Sequence, residues 1–195
     1  MKAISCFTFP QEHLNKQSSF GVVIIKNQTM SKVYSIKTVQ KMPIGMDQAW
    51  EFFSSPDNLK NITPDNLGFN IVSKHHGEKM YAGQIIEYIV KPILGIPLYW
   101  MTEITQVADQ QYFIDEQRFG PYGMWHHQHH FKAIEGGVEM TDIVHYKLPF
   151  WFLGDIANVL FVKKQLQGIF DFRFEATEKK FGTWPGAKER IIQFG

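Results

Sequence analysis

The spacing of apolar positions changes period along this chain, and the changes mark its elements. Val33 to Met42 alternates apolar and polar residues with the period of two of a half-buried strand, and Pro43 ends the run. Met46 to Phe53 switches to helical spacing, with Ala49, Trp50 and Phe53 on one face. Ser55-Pro56-Asp57-Asn58 opens a second short helix, with Ser55 as N-cap, Pro56 in the first position and an acid in the first turn. That helix has to stop before Pro64, which forces Thr63 out of the helical region. Six strand-like runs follow: Phe69 to Lys74, Gln84 to Lys91, Leu98 to Val107, Gln111 to Arg118, Met124 to Ile134 and Val138 to Leu148. Short connections, Asp109-Gln110 and Glu135-Gly136-Gly137 among them, make the runs antiparallel neighbours.

From Asp155 to Phe181 the spacing is helical again, without proline and with a single glycine. Asp155 is the expected N-cap, Lys179 and Lys180 fall in the last turn, and Gly182 follows as the terminating residue. The helix should run about 27 residues and roughly 40 Å. Its apolar stripe is Val159, Val162, Leu166, Ile169 and Phe170, with Lys163, Lys164, Gln167 and Asp171 largely opposite. Residues 1–32 have weak periodicity and read as a loosely attached arm, and 183–195 read as an irregular tail, leaving 33–182 as the folded unit. Met30, just before the first clear strand, is a second candidate for the start of translation.

This order predicts an α+β fold: a curved seven-stranded antiparallel sheet wrapped around a long C-terminal helix, with two short helices after the first strand. An open sheet against one cylinder can enclose a cavity. A chain of 195 residues suits one domain with a sizeable core. Its 15% of aromatic residues either fill that core or line an apolar cavity. The net charge of +1 gives no electrostatic case for nucleic acid. The single cysteine, Cys6, excludes an internal disulfide and has no Cys/His partner nearby in sequence. The most apolar stretch, Ile85 to Met101, is interrupted by Glu87, Lys91, Pro92, Gly95 and Pro97, so no membrane span is predicted. Polar residues from Gln11 to Lys16 break up any signal-peptide core, and a cytoplasmic protein is expected.

The candidate chemistry concentrates after the turn Gly120-Pro121-Tyr122-Gly123, in a segment holding four of the eight histidines. Trp125, His127, His129, Phe131 and Ala133 share one face of the strand, and His126, Gln128, His130 and Lys132 share the other. Pairing Glu135 with Val138 would set His129 opposite Val144, Phe131 opposite Asp142 and His127 opposite Tyr146, with Asp142 a diagonal neighbour of His129. Parity places Phe113, Asp115 and Gln117 of the preceding strand on the same face. The expected cluster is therefore Asp115, Gln117, His127, His129, Asp142 and Tyr146 among Trp125, Phe131 and Met140. Such a cluster either anchors a ligand carbonyl or hydroxyl, or serves as a His129–Asp142 acid/base pair, or is a hydrogen-bond network that fixes the sheet register. His127-x-His129 is also how several β-barrel metal sites begin, but Glu135 comes too late and His145 has the wrong parity, so no metal and no cofactor are expected. His126, His130, His75 and His76 read as solvated surface.

The chain also resembles a known superfamily. Ala49-Trp50-Glu51-Phe52-Phe53-Ser54-Ser55-Pro56-Asp57-Asn58-Leu59-Lys60-Asn61-Ile62-Thr63-Pro64 is similar to the helix pair of bacterial SRPBCC proteins. Gly120-Pro121-Tyr122, Trp125, His127, His129, Phe131, Thr141-Asp142, Val144, Tyr146 and Leu148-Pro149 look like a bacterial branch of it. The resemblance spans about residues 33–181 and implies the helix-grip, birch-pollen-allergen-like fold. It implies further a hydrophobic small molecule (a lipid, quinone, polyketide or aromatic metabolite) held between sheet and helix, where Leu166 would join the site; some members are cyclases or dehydratases. A departure stands at Phe150-Trp151-Phe152-Leu153-Gly154, where a smaller, glycine-rich segment is expected. Phe150, Trp151 and Phe152 would lie at the cavity mouth, as a gate, as core under the helix, or as a transient contact for a membrane or a protein. Three functions remain open on the residues: a carrier or sensor, favoured; an enzyme using His129 and Asp142; and a protein–protein module with a closed core. A cavity of roughly several hundred Å³ would favour the first two, and a filled interior the third.

Overall fold

A computed structural model describes residues 32–73, 79–93, 95–149, 161–186 and 191–195 of the chain. Residues 1–31 of the arm, His75, His76, the Phe150-Trp151-Phe152-Leu153 segment, Asp155 and Val159 lie outside the described residues. The elements are β1 (Tyr34–Met42), α1 (Met46–Phe53), β2 (Asn70–Ile71), β3 (Gln84–Ile93), β4 (Ile96–Ala108), β5 (Tyr112–Phe119), β6 (Met124–Ile134), β7 (Gly137–Lys147), α2 (Lys163–Phe181) and β8 (Ile191–Phe194). The second predicted helix is two short 3-10 turns, Pro56–Ile62 and Asp65–Leu67. Ser55 precedes the first of them but makes no side-chain cap bond, and Thr63 before Pro64 is extended, as the proline requires.

The strands form one antiparallel sheet in the order β2-β3-β4-β5-β6-β7-β1-β8. The seven predicted strands are all present, and the tail adds an eighth: Ile191–Phe194 is not irregular but pairs with β1, Ile36 opposite Phe194 and Val39 opposite Ile191. It extends the sheet beyond β1, which would otherwise present unpaired backbone. Register shifts interrupt the β3–β4 and β4–β5 pairings. Irregularities of this kind bend a sheet and increase its twist.

The β6–β7 turn falls one residue earlier than expected. Gly136 at φ +81° lets Ile134 pair directly with Gly137. All partners thereby move by two residues: His129 faces Asp142, His127 faces Val144 and Phe131 faces Met140. A shift of two keeps every side chain on its face. Gly137 is itself locked in place, because a Cβ there would lie 2.0 Å from the Met42 carbonyl oxygen.

Helix α2 buries Leu166, Phe170, Arg173, Phe174 and Thr177, one stripe at helical spacing, and ends at Gly182, whose N–H donates to Glu178 O at 2.8 Å. Gln40 of β1 donates from Nε2 to Phe174 O at 3.1 Å and ties the helix to the sheet. Three apolar clusters surround the space between them. One joins Trp50 and Phe53 of α1 to Phe113, Phe131 and Met140. Another packs Ile36, Val144 and Tyr146 against Leu166 and Phe170. The third lies on β3 and β4, with Ile86, Tyr88, Trp100 and Ile104. Among the described residues no helix is long and apolar enough to cross a membrane.

Candidate functional site

A cavity of about 170 Å³ lies between the sheet and α2, bounded at one end by α1 and the 3-10 turn. Its wall is mostly apolar: Phe52, Leu59, Ile62 and Met80 near that end, Ile86, Trp100 and Ile104 on β3 and β4, and Leu166, Ile169 and Phe170 on α2. Asp115, His127 and His129 bring polar groups into it from β5 and β6.

These three belong to a row that crosses four neighbouring strands. Asp115 of β5 is the ladder partner of His127, His129 pairs with Asp142 of β7, and Asp142 pairs with Thr38 of β1. The histidines are 5% and 7% exposed and Asp142 is 3% exposed. His127 Nε2 lies 3.0 Å from Asp142 Oδ1, and His129 Nε2 lies 2.8 Å from Asp115 Oδ2. Carboxylates accept only, so each of these nitrogens carries the proton and donates. Thr38 Oγ1 donates to Asp142 Oδ2 at 3.4 Å. His129 Nδ1 also approaches Asp142 Oδ1 to 2.8 Å, but too obliquely for a well-formed hydrogen bond, so the contact acts through charge. The two imidazoles are tilted by 39° with centroids 3.7 Å apart, and Phe113 stacks on His129 at 4.1 Å.

Burial opposes every charge in this row, and the neighbours decide which survive. Burial would raise Asp142, but the His127 hydrogen bond and the close approach of His129 hold it far below the usual carboxylate range. Asp115 is likewise lowered against its burial, by His127, by the His129 hydrogen bond and, through space, by Arg173. Burial works against charge on His129 too, yet Asp115 and Asp142 on either side raise its pKa. For His127, burial and the charge on His129 win and its pKa is lowered. The row thus holds two carboxylates, one imidazolium at His129 and one neutral ring at His127, with both carboxylates engaged by rings.

The expected site residues divide. Asp115, Trp125, His127, His129, Met140 and Leu166 line the cavity. Asp142 sits behind the histidines and does not reach it; Phe131 is packed between Trp50, Phe53 and Phe113; Tyr146 stacks on Tyr34 at 5.5 Å in the core. Gln117 is directed to its own turn, donating to Tyr122 O at 2.8 Å and accepting from Tyr122 N at 3.2 Å. The outer-face histidines are half-buried rather than fully solvated: His126 Nδ1 meets Glu116 Oε1 at 2.9 Å, and His130 Nε2 meets Gln128 Oε1 at 2.9 Å. Ligand atoms of Asp115, His127 and His129 lie within 4.8 Å of one another, close enough to converge on one cation. The hydrogen bond within that trio and the positive Arg173 nearby weaken the case for one.

Several wall residues lay outside the expected set. Tyr88 of β3 and Thr102 of β4, diagonal across the strand pair, share a 2.6 Å hydroxyl–hydroxyl hydrogen bond at the cavity. Trp100 and Arg173 line it with buried N–H groups, Nε1 and Nε, that have no hydrogen-bond partner among the described residues. The signal for Arg173 was present in the sequence, since it falls three residues after Phe170 and seven after Leu166, a charge in the middle of an apolar stripe.

The architecture is shared with solved structures of very different sequence. TTHA0849 from Thermus thermophilus superposes with a TM-score of 0.56 at 14% identity, covering 75% of this chain and 96% of that one. The major latex-like protein 151 of Panax ginseng gives 0.56 at 14% identity, over 76% and 97%. Protein CV1439 from Chromobacterium violaceum gives 0.58 at 8% identity, over 77% and 99%. The fold is the helix-grip fold of Bet v 1-like, SRPBCC proteins. No family model matches the chain, and no curated protein matches its sequence. At these identities the helix-grip likeness concerns architecture, and the chemistry has to be argued from this chain's own cavity.

Proposed function

We propose that this protein binds a compact hydrophobic small molecule in the cavity between sheet and helix, as a carrier or sensor. The observation that carries the reading is a largely apolar cavity of about 170 Å³ between sheet and helix, with a few polar groups set into its wall. The size narrows the ligand. It is below the roughly 300 Å³ at which drug-sized pockets begin and close to the ~150 Å³ cavities that admit a single aromatic ring. A one-ring or short branched compound fits better than a polyketide.

Acid/base catalysis is the weaker reading. His129 presents Nε2 to Asp115 and Nδ1 to Asp142, leaving no free N–H for a substrate. Asp142 lies behind both rings. An interaction module with a closed core fits a cavity-bearing interior less well. Native mass spectrometry of the purified protein tests the proposal. A bound organic mass that disappears on mild activation is expected. A ligand-free protein that also takes up no one-ring compound in titration would overturn it.

A further inference from the structure

Arg173 lies in the middle of the buried stripe of α2, 9% exposed, and lines the cavity. Its guanidinium stands over the Phe170 ring, 5.1 Å from the centroid. Among the described residues that guanidinium makes no hydrogen bond and no ion pair, and its Nε is fully enclosed. A buried guanidinium without an acceptor is costly, and Arg cannot relieve the cost by losing its proton. Trp100 Nε1–H repeats the imbalance elsewhere on the wall. Of the Asp115 carboxylate, Oδ2 is engaged by both histidines. Two buried N–H donors on the cavity wall thus stand without an acceptor among the described residues, which an acceptor on a bound molecule would supply.

Resting on the binding reading above, we infer that Arg173 anchors a carboxylate, and that the ligand is a compact apolar carboxylate. The planar fork of a guanidinium matches a carboxylate through two parallel N–H···O bonds. The rest of the molecule would lie among Ile86, Ile104, Phe113 and Met140, which leave room for about one ring. Arg173 also acts on Asp115 through space. If that were its whole role, a second carboxylate in the cavity would be repelled and a neutral compound of the same shape would bind better.

Calorimetric titration of the full chain with phenylacetate and with phenylacetamide at pH 7 separates the two. The inference expects phenylacetate to bind at least tenfold more tightly, and Arg173→Met to abolish that preference while still binding the amide. Equal affinities, or a preference for the amide, in the unaltered protein overturn the carboxylate anchor and leave the apolar pocket standing. Failure of both compounds to bind overturns both claims. The comparison on the unaltered protein decides the matter even if Arg173→Met does not fold. Arg173→Lys, which keeps the charge without the fork, should retain only part of the preference.

Discussion

Replacing Asp142 by Asn tests the buried row at its centre. The carboxylate accepts from His127 Nε2 at 3.0 Å and lies 2.8 Å from His129 Nδ1. Asn keeps the shape but removes the charge; its Oδ1 can still accept from His127, whereas its NH2 replaces the oxygen that accepts from Thr38 and the negative charge beside His129 is lost. Removing one partner of a buried charge pair costs about 3–5 kcal/mol. Here His127 is neutral and Asp115 still supports His129, so a loss of about 2–4 kcal/mol is expected. In a domain of this size each kcal/mol moves Tm by about 2–4 °C, which gives a fall of about 5–15 °C. His129 should respond as well. Asp142 is one of the two groups raising its pKa, so the variant should lower it, by about one unit for each 1.4 kcal/mol of lost interaction. Thermal melts and NMR titration of the imidazole nitrogens read both. An unchanged melt together with an unchanged His129 titration would refute the account of the row.

The pH dependence of stability has a definite shape. Asp142, depressed on folding, contributes stability that is present above its unfolded value near ~3.9 and lost as pH falls, whereas His129, raised on folding, contributes below ~6.5 and loses it as pH rises through the folded value. His127, lowered on folding, works the other way and costs stability as pH falls below ~6.5, so urea midpoints should peak near pH ~6.5, and a maximum at pH 9 would contradict this assignment. Leu166→Asp places an unpaired charge at a position that is 2% exposed and should leave no cooperative melt, as followed by circular dichroism. Gly137→Ala should cost at least about 3 kcal/mol in chemical denaturation, because its Cβ would fall 2.0 Å from Met42 O and cannot be accommodated without moving β1.

The sequence made the inner face of the hairpin legible because a strand's period of two leaves no choice once Trp125 and Phe131 are assigned inward. His127, His129 and Asp115 followed from parity alone. Register was less legible, since it depends on whether Gly136 or Gly137 takes the left-handed turn position, and the string Glu135-Gly136-Gly137 allows either. The two-residue shift converted Asp142 from a diagonal neighbour into the direct partner of His129. Phe131 and Tyr146 share the correct face but lie beyond the cavity's two ends, a distance along the sheet that periodicity cannot measure. The strand Ile191–Phe194 is only four residues long, too short to alternate visibly. Arg173 was obscured by the habit of reading charges on an amphipathic helix as its solvent face.

The central claim, that the space between sheet and helix receives a ligand, is tested most directly by methyl NMR during a titration with toluene. Met140, Ile86 and Ile104 line the cavity, whereas Ile36 and Val138 are equally buried but do not. Saturable shifts at the first three methyl groups, with the other two little changed, are predicted. Absence of saturable shifts at Met140, Ile86 and Ile104, or shifts confined to surface methyls, would contradict it.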